Sequence, residues 1–76
     1  MKFIQHRKDL KAMDCCKIFI EEGITPMIMA ANLEKSRIYK AVDKYLIENG
    51  YTRELVETQI ENNVRTPAHY IYAKKA

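Results

Sequence analysis

The sequence predicts a single α+β domain, three helices followed by a C-terminal β-hairpin. Two stretches with helical apolar periodicity, each closed by a glycine, predict the first and third helices. A C-terminal run rich in aromatic and β-branched residues, preceded by polar turn formers, predicts the hairpin. A chain of 76 residues makes one domain, and its small core leaves it only modest net stability.

The expected layout is an arm over residues 1–8, three helices over 9–50, a hairpin over 51–73 and a tail over 74–76. Phe3 and Ile4 do not continue the stripe of the first helix, so they belong to a separate arm or short strand. That helix covers residues 9–22, with Asp9 as its N-cap and Gly23 as its left-handed stop. Ala12, Met13, Cys16, Phe19 and Ile20 form its inward face, with Cys15 at the margin and Ile18 opposite. Thr25-Pro26 then reads as the cap and first residue of a short, buried helix over residues 26–31. In it Met27 and Met29 fill the core. Asn32-Leu33 makes the turn, because Asn tolerates a left-handed backbone and Leu33 plugs the gap between helices.

A third helix runs from Lys35 or Ser36 to Asn49, with Gly50 as its stop. Its apolar face is Ile38, Ala41, Val42, Tyr45 and Leu46, which leaves Asp43 and Ile47 outside. Residues 52–61 fit two elements. Val56, Thr58 and Ile60 alternate as a strand does, whereas Leu55, Val56, Gln59 and Ile60 share one face of a helix. Residues 68–73, opened by Pro67, form a strand in which His69 is an ordinary member. Residues 61–66 are the polar turn between, with Asn62 and Asn63 as turn formers.

The composition excludes several classes. With 47% hydrophobic residues, two Gly and two Pro, the chain is not disordered throughout. No apolar run approaches the roughly 20 residues that cross a bilayer, and the N-terminus turns polar too early for a secretory signal. A cytoplasmic protein with no membrane partner is expected. Cys15 and Cys16 are neighbours, so a disulfide between them is strained and staples nothing. His6 and His69 are remote and no C-x-x-C spacing occurs, which favours two reduced thiols over a zinc site. No nucleophile–base arrangement or glycine-rich phosphate loop suggests an enzyme or a cofactor. A core this small also leaves little room for an inducer pocket.

The net charge of +3 says less than its placement. Lys2, Arg7 and Lys8 make the start basic, Arg65, Lys74 and Lys75 make the end basic, and acids gather between, including Glu54, Glu57 and Glu61. Ile28, Asn32, Leu33 and Ile38 occupy the spacing of a helix-turn-helix unit, although Ile28 stands where Ala is common and Asn32 where Gly is usual. The run Leu33-Glu34-Lys35-Ser36-Arg37-Ile38-Tyr39-Lys40-Ala41-Val42 resembles the start of a recognition helix in winged helix-turn-helix regulators. The close Arg65-Thr66-Pro67-Ala68-His69-Tyr70-Ile71-Tyr72 is similar to their second wing strand, and the resemblance covers roughly residues 9–73. It implies a small stand-alone transcription regulator of the kind that bacteria, plasmids and phages carry.

On that reading the helix over residues 34–49 enters the major groove of double-stranded DNA, and the 61–66 wing meets the backbone or minor groove. Ser36 would hold a phosphate at the helix N-terminus. Arg37 and Lys40 suit guanine O6 and N7 or phosphates, with Lys44 on the same face and Lys35 and Tyr39 flanking. Arg65 adds a wing contact, and Lys74 and Lys75 are further phosphate candidates. One copy reads little sequence, so a homodimer or a protein partner is expected, with Phe3, Ile4, Ile18 and Ile47 as candidate surface. The rival is an adaptor that uses the same scaffold to bind another protein, for example a small phage protein modulating a host one.

Overall fold

The chain alternates short strands with helices. In order these are β1 (Lys2–Phe3), α1 (Ala12–Glu22), β2 (Pro26–Met29), α2 (Ala30–Lys35), α3 (Arg37–Glu48), β3 (Tyr51–Val56), β4 (Gln59–Glu61), β5 (Val64–Thr66) and β6 (His69–Lys74). The computed structural model describes residues 2–75, the side chain of Lys2 excepted; Met1 and Ala76, the outermost residues of the expected arm and tail, lie outside them. Four strands form one sheet in the order β1-β2-β6-β3, with β1 parallel to β2 and the other pairs antiparallel. β4 and β5 pair separately. Three helices and a mainly antiparallel sheet, among the described residues, make a small α+β fold, as the sequence predicts.

α1 ends as expected and starts late. Gly23 is left-handed at φ 71°, its N–H reaching Ile20 O at 3.2 Å while Ile24 N–H reaches Phe19 O at 2.8 Å. These two bonds satisfy carbonyls that the helix would otherwise leave open. Asp9 is not the N-cap. It lies in a loop that Arg7 and Leu10 close by two backbone bonds, and the helix begins after an extended Lys11. Ala12, Cys15, Cys16 and Phe19 are buried, so Cys15 belongs to the core and not its margin; Ile18 is exposed.

The short buried helix expected over residues 26–31 is replaced by a strand. Pro26–Met29 lies between β1 and β6, with Met27 opposite both Phe3 and Ile71. A brief apolar run suits a buried strand as well as a buried helix, and ladders on both sides decide for the strand. Only then does the backbone turn into α2, so Asn32 sits within a helix and not in a turn. The turn moves to Ser36, a single extended residue at φ −112° and ψ 124° between α2 and α3. Leu33 is buried, as expected of the plug.

α3 is shorter than the expected 34–49 helix, since Glu34 and Lys35 belong to α2. Its inward stripe is also rotated. Val42 and Leu46 are fully buried and Tyr39 and Tyr45 pack against the core, but Ile38 is 45% exposed and Ala41 is open as well. Asp43, expected outside, turns towards the sheet. Beyond α3, residues 51–56 settle as a strand, six residues in register with β6 from Tyr51↔Lys74 to Val56↔His69. Part of the polar turn over 61–66 is strand too: Val64–Thr66 pairs with β4, and the bend itself is Asn62-Asn63, left-handed at φ 51° and 64°. Two consecutive left-handed residues give the two-residue turn whose twist matches a hairpin, and Asn tolerates it better than most.

The core joins Ile4, Ala12, Cys15, Cys16, Phe19, Ile28, Leu33, Val42, Leu46 and Tyr72. Ile4, a candidate for a dimer surface, is thus a core residue, and Phe3 packs edge-on to buried His69 with ring centres 5.4 Å apart. Burial, with Cys15 adding to it, pushes the Cys16 thiol from 9.0 up to about 11. A raised folded-state value means that the unfolded chain ionises first. The stability this adds is complete below pH 9.0 and is lost as pH rises to about 11. We expect the thermal midpoint to fall across that window, and Cys16→Val, followed by circular dichroism against pH, to flatten the fall.

Candidate nucleic-acid interface

Arg37, Lys40 and Lys44 follow one another at helical spacings of three, four and seven, and all are exposed. Val42 and Leu46 pin the opposite side of α3 to the core, so the basic face is held in one orientation. Lys44 approaches Glu48 at 3.9 Å, but both side chains are largely solvated and such a pair is weak and screened. Lys35, exposed at the end of α2, stands directly before Ser36 and adds a fourth cation near the start of α3. The Ser36 side chain makes no capping bond to the helix, whose first amides point towards this corner. Tyr39 does not join the set, because it is half-buried against the core. Ile38, Ala41 and Ile47 also surface on α3, so the exposed side is mixed and not purely basic.

Arg65 lies in β5, exposed, directly across from Ile60 of β4. This tip carries two large apolar side chains in the open, Ile60 at 76% and Val64 at 63% exposure. The hydrogen-bond ladder is interrupted before it, at Glu57-Thr58 and Pro67-Ala68, where Ala68 N–H donates to Thr58 Oγ1 at 3.2 Å. Lys74 and Lys75 are elsewhere. Lys74 pairs with Tyr51 at the other end of β6, and Lys75 N–H bonds Gly50 O at 2.8 Å, beside the C-terminus of α3.

A polar cluster that the sequence does not reveal ties α3 to the sheet. Tyr72 O–H donates to Asp43 Oδ1 at 2.5 Å, and Arg53 Nη1 donates to Asp43 Oδ1 and Oδ2 at 3.1 and 3.2 Å. The Arg53 guanidinium also lies 5.2 Å from the Tyr70 ring centre, a cation–π distance. Burial, reinforced by the bond to Asp43, holds the Tyr72 phenol well above its ordinary value, so it stays a donor. The partners are 10 and 29 residues apart, and no local spacing links them. The one sequence hint is an acid at a helix position that shares the side of Tyr39 and Leu46.

No protein family, curated protein or solved structure matches this chain. Among the described residues, no three His, Cys, Asp or Glu side chains gather as metal ligands would. Among them, too, no helix is long and apolar enough to cross a membrane.

Proposed function

We propose that this chain is a winged helix-turn-helix protein that binds double-stranded DNA and regulates transcription in the cytoplasm. The observation that carries this reading is the exposed face of α3, with Arg37, Lys40 and Lys44 aligned on a helix anchored from behind. A helix offered to the major groove needs that division, one side for its own core and the other for phosphates and base edges. Support comes from the layout as well: α2 and α3 are separated by one residue, and a hairpin follows with Arg65 near its tip. Arg37 and Lys40 contact guanine edges or phosphates, Ser36 and Lys35 a phosphate at the helix start, and Arg65 the backbone beside the wing. Reading an operator then takes a second copy or a protein partner.

One observation favours the adaptor reading. Ile38 and Ile47 on α3 and Ile60 and Val64 on the tip are exposed, and large apolar side chains are what a protein partner buries. The two readings separate in a fluorescence anisotropy titration of mixed-sequence duplex DNA at several salt concentrations. On the DNA reading, affinity falls steeply with salt, and Arg37→Ala/Lys40→Ala lowers the slope of log K against log salt by about 2. Absence of salt-dependent binding by the wild-type protein, even at low ionic strength, would overturn it and leave the adaptor.

A further inference from the structure

The N-terminal segment does not close fully over α1. Between them lies a half-open cleft of about 360 Å³, lined by Phe3, Gln5, Arg7, Leu10, Cys15 and Phe19. This volume is at the lower end of the range of small-molecule sites, larger than the expected absence of an inducer pocket allows. Cys15 and Phe19 stand one helical turn apart on α1 and, with Phe3 and Leu10, make most of the lining apolar. Gln5 and Arg7 supply the polar side. The Arg7 guanidinium donates to Gln5 Oε1 from Nε at 2.9 Å and from Nη2 at 2.6 Å. Gln5 is neutral, no carboxylate lines the cleft, and Arg7 enters no ion pair among the described residues. The guanidinium is thus held in place by an amide at the rim of an apolar hollow, with no ionic partner among the described residues.

We propose that this cleft binds a small amphipathic carboxylate, a medium-chain fatty acid or an acid of similar size, with its tail against Cys15 and Phe19 and its head on Arg7. Other occupants fit less well. A cation meets Arg7, and a wholly apolar molecule leaves the guanidinium with no partner beyond Gln5. A carboxylate can take both parallel N–H donors of Arg7, displacing or sharing Gln5. A bound ligand would pin residues 3–10 onto α1 and, through β1, brace the edge of the sheet at β2. The site stands apart from the exposed face of α3, and its test needs no DNA, so its failure leaves the reading of α3 untouched.

The experiment is a titration of the ¹⁵N-labelled protein with octanoate, followed by amide chemical shifts, beside octanol and the shorter acids hexanoate and heptanoate. We expect saturable shifts concentrated at residues 3–10 and 12–19. Each added methylene should tighten binding about fourfold, the ratio that apolar burial gives. Arg7→Gln, an exposed substitution that spares the core, should weaken octanoate at least tenfold while octanol, the weaker ligand from the outset, changes little. Octanoate should also slow alkylation of Cys15 by iodoacetamide, read separately from fully buried Cys16 by fragment mass. Non-saturable shifts, shifts spread over the whole chain, or equal binding of octanol and octanoate would each sink the proposal. So would an Arg7→Gln protein that binds octanoate as the wild type does.

Discussion

Leu46→Ala is expected to lower the thermal midpoint by about 8–40 °C and to leave much of the protein unfolded at 37 °C. Leu46 is fully buried where α3 meets the rest of the core. Truncating such a leucine costs about 2–5 kcal/mol, the lost transfer energy plus a cavity that the surroundings fill only partly. A domain of this size holds about 4–11 kcal/mol in total, so the loss takes a large share of it. For small domains each kcal/mol shifts the midpoint by about 4–8 °C. Ile47→Ala is the control. Ile47 is the next residue along the chain, yet it is 45% exposed, and its truncation should stay within about 0.5 kcal/mol. Urea denaturation followed by circular dichroism measures both. Equal losses at the two positions would mean that Val42 and Leu46 do not mark the inward face of α3.

Removing the Asp43 carboxylate is the second large effect. In Asp43→Ala the fully buried Tyr72 side chain loses the acceptor of its hydroxyl, and Arg53 loses its only ion-pair partner among the described residues. An unsatisfied buried hydroxyl costs about 1–3 kcal/mol, and the exposed Arg53 pair adds little. Asp43→Asn keeps an acceptor for Tyr72 and should lose less. Tyr72→Phe removes the donor together with its need for a partner, and should also cost less than Asp43→Ala. A double-mutant cycle of Asp43→Ala with Tyr72→Phe isolates the pair. A coupling near zero would show that the hydroxyl finds another partner. The same cluster sets how α3 stands against β3 and β6, so on the DNA reading Asp43→Ala weakens duplex binding without removing any contact to DNA. Anisotropy performed where the variant is still folded should show lower affinity with an unchanged salt slope, unlike the loss of Arg37 and Lys40.

Different parts of this fold leave different traces in the sequence. Gly23 and the stripe before it mark α1 because a helix end needs a left-handed residue and a half-buried helix needs a periodic face. The C-terminal β region is legible in part, since Asn62-Asn63 read as turn formers and residues 68–73 as a strand, while residues 52–61 fit a strand and a helix alike. Met27, Ile28 and Met29 carry no such mark. A run buried on every side has no polar face to reveal its period, and the choice between helix and strand waits on the neighbours that supply hydrogen bonds. Placing a helix there shifted the expected turn to Asn32, four residues ahead of Ser36. The rotated stripe of α3 has a similar origin, since Asp43 is drawn towards the sheet by Tyr72 and Tyr39 packs against the core, neither of which its own polarity announces.

The sequence by itself determined a small α+β domain, the places of its first and third helices and its last strand, and it put Arg37, Lys40 and Lys44 on a common face of the third helix. Those features depend on local periodicity, end signals and turn chemistry, which a short window of residues contains in full. Only the tertiary structure decided that β2 is a strand, that Tyr39 belongs to the core, and that Ile4 is buried. It alone closed Asp43 onto Tyr72 and Arg53, and left a cleft between Arg7 and Cys15. Each of these depends on groups far apart in the chain meeting in space, and on which of them a small core has room to cover.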